Sequence, residues 1–175
     1  EPPMILLDPR NLTKEYPDAR SREVMEKTIA FFEKKGKKKL LSDYYGQEWY
    51  ADFVEYAGKE GLFATISTPA GYGADDSRWD TWRICECGEI LGFYGLQYWY
   101  VWQVSVLGLG PIWMSGNEAI KERTAQLLEE GGIFVQWLQG YHVDPALVRT
   151  AYATIASVFP QVETWTVHHM DMAFT

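Results

Sequence analysis

The chain has 175 residues, 47% of them apolar or aromatic, and a formal net charge of −8. This length and composition allow one domain, or two small ones, around a real core. The acidic balance excludes nucleic acid as the main partner, because phosphate binding rests on clustered Lys and Arg.

In chain order, "EPPMILLDPR" is acidic at its first residue and broken by proline, so it carries no leader pattern. A first helix is expected from about Asp18 to Lys35. Asp18 or Ser21 can cap it, and Val24, Thr28, Phe31 and Phe32 recur at helical spacing. Its end runs into "KKGKKK", Lys34 to Lys39. That run reads as a solvated helix terminus stopped by Gly36, or else as a patch for phosphate or an acidic partner. A second helix is expected from about Asp43 to Gly58, with Tyr50, Phe53, Val54 and Ala57 on one face. "STPAGYGADDS" is a loop by composition, and its Gly-x-Gly lacks the preceding strand and following Lys-Ser/Thr of a phosphate cradle.

A third helix is expected to start near Ser77 and to carry Trp79, Arg83, Ile84, Cys87, Ile90 and Leu91. Cys85 and Cys87 are the only cysteines. Their one-residue gap suits neither zinc nor a redox C-x-x-C pair, so reduced thiols and a cytoplasmic location are expected. Glu86 and Glu89 stand three residues apart on the same helix. A solvated face accounts for them better than paired acid–base chemistry.

From Ile90 to Asn117 no side chain is charged. Gly92, Gly95, Gly108, Gly110 and Pro111 interrupt a membrane span there, and Trp99, Tyr100 and Trp102 sit mid-segment rather than at its two ends. No membrane span is expected, and a buried aromatic helix from about Gly95 to Leu107 is. Asn117 caps a fifth helix with Glu118 in its first turn, ending at Gly131-Gly132. Beyond it, "GIFVQWLQ" reads as a strand. Asp144 to Phe159 reads as a helix capped by Asp144, begun by Pro145 and stopped by Pro160. "VETWTV" and "DMAFT" read as two more strands. "VHHMD" offers two imidazoles, but on a strand His168 and His169 face opposite ways, so no metal site is assigned.

The segment "FYGLQYWYVWQVSVLGLGPIWMSGNEAIKERTAQLLEEGGIF", with Gly116, Lys121 and Leu128 in its small-turn and amphipathic pattern, resembles the N-terminal helical domain of an acyl-CoA dehydrogenase. "TPAGYGAD" is similar to that family's Gly-rich loop, and the likeness extends over about residues 20–134. It implies a flavin-dependent oxidoreductase of fatty acid metabolism with FAD as cofactor. It also implies an acyl-CoA or other apolar small-molecule ligand, and Tyr98, Trp99, Trp102 and Leu107 as pocket residues; core packing is the other reading of those four. The family's Thr/Ser-Glu flavin motif and its catalytic base are not matched, so no catalytic residue is assigned.

From Gly131, "GGIFVQWLQGYHVDPALVRTAYATIASVFPQVETWTV" instead resembles the C-terminal part of a spermidine-synthase-like aminopropyltransferase. This implies Gln136 and Tyr141 beside an amine. It also implies a three-stranded sheet with Asp171–Thr175 between Gly132–Leu138 and Val162–Val167. The two patterns meet at "GGIF", as in a chimera or a fragment of a fusion. The resulting expectation is an α+β protein, with a helical domain at 1–130 followed by a β-α-β-β segment at 131–175. The functional expectation is an acyl-pocket domain incomplete for catalysis alone. Its rivals are an aminopropyltransferase fragment and a helical interaction domain that forms a homo-oligomer or docks to a missing domain.

Overall fold

The computed structural model describes residues 8, 10, 15–48, 50–131, 144–157 and 162, together with the backbone of 136–139, 158, 164–167 and 171–174. Helices build its body in the order α1 (Ala19–Gly46), α2 (Ala51–Lys59), α3 (Leu62–Ser67), α4 (Thr81–Tyr94), α5 (Leu96–Met114) and α6 (Glu118–Glu129), and α7 (Pro145–Val158) follows. The α+β expectation is corrected to a helical fold. Of the residues described with their side chains, 76% are helical and none lies in a strand. The reason is visible in the core, whose buried apolar side chains all belong to helices α1 to α6. For β1 (Gln136–Gln139), β2 (Thr164–Val167) and β3 (Asp171–Phe174) only backbone is described. These traces pair antiparallel in the order β1-β3-β2, with Ala173 opposite both Trp137 and Trp165.

Asp18 caps α1, its carboxylate accepting the Ser21 N–H at 2.7 Å. Contrary to expectation α1 does not stop in the lysine run. It kinks at Gly36 (φ 76°, ψ 151°), a conformation glycine adopts without a Cβ penalty, and resumes as far as Gly46. Ion pairs hold the two halves together. Lys35, its side chain 9% exposed, reaches Asp43 at 2.9 Å and Asp52 at 2.6 Å, and Lys39 reaches Asp43 at 2.5 Å. The residues expected to open the second helix therefore close the first, and α2 begins only at Ala51.

Helix α3, not anticipated, is six residues long and wholly buried. Helix α5 runs seven residues past its expected end and through Pro111. The backbone bond that proline cannot donate is lost. Burial of Leu109 and Ile112 against Ala64 and Leu128 holds the last turn in place. Val24, Met25, Phe32, Phe53, Leu62 and Ile66 meet Ile90, Leu91, Tyr98 and Trp102 in the main core.

Among the described charged side chains, Arg83 of α4 is the most deeply buried, at 1% exposed. Its guanidinium donates to the Ser21 hydroxyl at 2.9 Å, to the Thr65 carbonyl at 2.9 Å and to the Asp76 carbonyl at 2.8 Å, and reaches Asp18 at 3.3 Å. Three other segments of chain thus converge on one planar cation.

Helix α2 and the turn after α6 also touch, at Gly58. A methyl group there would collide with the Gly131 carbonyl oxygen, which is backbone and cannot swing aside. Gly58→Ala is expected to destabilise by about 1–3 kcal/mol despite alanine's better helix propensity, read as a lower urea midpoint. A midpoint equal to or above that of the parent would contradict the close approach.

Candidate functional site

The four aromatic and aliphatic residues singled out as pocket candidates separate into two environments. Tyr98 and Trp102 are 1% and 2% exposed, whereas Trp99 and Leu107 are 38% and 51% exposed. Helical geometry explains this, because neighbours on α5 point about 100° apart. Tyr98 faces Phe32 and Phe53 at 4.8 and 5.5 Å, with the Lys35 ammonium 5.6 Å above its ring. Trp102 stacks on Phe63 at 5.3 Å and also contributes an edge to the surface. There Trp99, Trp102 and Leu107 line one shallow cleft of about 500 Å³ between α4 and α5, beside Cys85, Glu89 and Gln103. Tyr98 does not join them. Of the amine-site candidates, Gln136 is described by its backbone alone and Tyr141 lies outside the described residues, as do His142, His168 and His169.

A larger cleft, about 670 Å³, opens where the α1 kink faces the junction of α4 and α5. The kink turns α1 away at Gly36, and Gly92 brings no side chain to the opposite wall, with nothing within 4 Å of a Cβ built at either glycine. Phe32, Leu40, Leu41, Phe93 and Leu96 supply an apolar lining. Lys37 stands at its edge and makes no ion pair or side-chain hydrogen bond among the described residues. Glu33 accepts the Tyr94 hydroxyl at 2.6 Å. Burial, and then this carboxylate, push the Tyr94 phenol well above its ordinary range, so it stays protonated. Arg10 lies over Phe93 at 5.9 Å and is held by Asp8 at 2.8 Å. The Gln97 side-chain oxygen is buried and has no hydrogen-bond partner among the described residues. Two signals for this cleft are present in the sequence: a glycine inside a lysine run, and the Gly92/Gly95 pair inside the uncharged stretch.

Burial works to lower the Lys35 pKa, but hydrogen bonds to Asp52 and Asp43 outweigh it and raise the value, so the amine is not poised as a nucleophile. Burial pushes the Cys87 thiol well up, away from thiolate chemistry. Glu86 is buried rather than solvated, while Glu89 is exposed; both have interaction partners. Among the described residues no group of three or more His, Cys, Asp or Glu is placed to hold a metal ion, and no helix is long and apolar enough to cross a membrane.

The Gly-rich loop does not fit the diphosphate of a flavin dinucleotide. A Cβ on Gly73 would meet Thr68 at 3.0 Å and the Glu129 carboxylate at 3.2 Å, and nearby Arg20, Arg78 and Arg83 are paired with Asp76, Asp80 and Asp18. No family model matches this chain, and neither a curated protein nor a solved structure matches it.

Proposed function

We propose that the chain is a non-catalytic binder of an apolar chain, the acyl class that its resemblance to an acyl-CoA dehydrogenase helical domain implies, and that the cleft at the α1 kink is the seat. The observation that carries the reading is the cleft's make-up: about 670 Å³ of mainly apolar lining with the Lys37 ammonium, which no described residue pairs, at its edge. That volume lies within the ~300–1,000 Å³ of small-molecule pockets, and an apolar wall with few polar groups is their usual composition. The chain sits against Phe93 and Leu96, and its carboxylate or thioester end lies toward Lys37.

Calorimetric titration with decanoate tests this. Saturable binding is expected, weakened at least ~10-fold by Phe93→Asp, which places a charge on the apolar wall. Leu107→Asp, in the α4–α5 cleft, is expected to leave it unchanged. No saturation, or loss only with Leu107→Asp, would overturn the assignment. Co-elution of FAD with the chain would extend the reading to the redox half of the resemblance.

A further inference from the structure

Beside the chain cleft, and separated from it by Tyr44 and Gln97, lies a third depression of about 530 Å³ at the C-terminal end of α1. The Tyr44 and Tyr45 rings meet edge to face, 5.4 Å apart and inclined at 77°, and Tyr50 adds a third aromatic wall. Two carboxylates face the same space, and they differ in what already neutralises them. Asp43 is held by Lys35 at 2.9 Å and Lys39 at 2.5 Å. Glu48 makes no ion pair or side-chain hydrogen bond among the described residues, although the Lys39 ammonium is near enough to feel its charge. The Gln97 side chain completes the wall.

We propose that this depression binds an organic ammonium group, a quaternary or alkylated amine. Each part of the wall selects that chemistry. Aromatic faces set at right angles offer the negative side of their quadrupoles to a weakly hydrated cation. Glu48 supplies the countercharge, and the C-terminal end of a helix favours positive charge. The net charge of −8 draws cations to the surface as a whole. An anion would be repelled by Glu48, and a neutral apolar group would gain nothing from it. The site does not depend on the chain-binding reading, since its walls and countercharge come from Tyr44, Tyr45, Tyr50 and Glu48.

The test is an NMR titration of the full chain with choline and with its uncharged carbon isostere, 3,3-dimethyl-1-butanol. Choline is expected to bind saturably and about 10-fold more tightly than the isostere. Glu48→Gln and Tyr45→Ala should each weaken choline about 3- to 10-fold without lowering the melting temperature, because both side chains are exposed (Tyr45 is 79% exposed). Phe93→Asp, which abolishes the chain cleft, should leave choline binding intact. Equal binding of the isostere, or two variants that bind choline like the parent, would overturn the proposal.

Discussion

Replacing Arg83 by methionine is expected to destabilise the fold by about 3–5 kcal/mol, the cost of removing one partner from a buried, hydrogen-bonded charge network. Methionine fills much of the volume but answers neither the Thr65 and Asp76 carbonyls nor the Ser21 hydroxyl. Asp18 keeps Arg78 at 2.8 Å, which limits the loss. A second signature is acid dependence. Burial alone would raise the Asp18 pKa. Hydrogen bonds from the Ser21 N–H and hydroxyl, with the Arg83 and Arg78 charges, overcome it and lower the pKa from 3.8 to about 2. A folded pKa below the unfolded one gives stability that is full above about pH 4 and fades as pH falls toward 2. In Arg83→Met that acid limb should flatten, because the two pKa values draw together. Urea unfolding at several pH values reads both effects. A loss under about 1 kcal/mol with an unchanged acid limb would mean that water replaces the guanidinium.

Phe32→Ala should cost a comparable amount, about 3–5 kcal/mol. The ring is fully buried, stacks on Tyr94 at 4.7 Å, and lies 4.8 and 5.1 Å from Tyr98 and Phe53. It joins α1 to α2, α4 and α5 just before the kink, where the backbone gives little support of its own. Phe32 also lines the cleft at the kink, so its removal deepens that cleft instead of sealing a void. Decanoate should therefore recover part of the lost melting temperature in Phe32→Ala. A loss below about 1.5 kcal/mol would show that the surrounding rings collapse into the gap.

The parts of the structure that were legible in the sequence are those decided within a few residues. Asp18 and Asn117 cap α1 and α6 because a short polar side chain only has to reach the amide three residues on. The lysine run shows the opposite case. Gly36 with flanking cations signals a helix stop, yet Lys35 finds Asp52 seventeen residues away, and that distant pair recruits the next ten residues into α1. Helix α3 is too short to display a period. The α+β expectation came from strand patterns and a resemblance in the last quarter of the chain, whereas the described core is built before it. Within the uncharged stretch every helix face is apolar or aromatic, so spacing alone could not say that Tyr98 turns inward while Trp99 turns out. The cleft at the kink was missed because it is defined by what glycines leave open, not by a residue pattern.

The meeting of Gly58 with the carbonyl of Gly131 restricts how this molecule can be re-engineered. A tag or reporter spliced in just before residue 131 would lever against α2 and loosen both ends of the contact together. At the Gly71 turn, where nothing lies within 4 Å of an added methyl, an insert has open space.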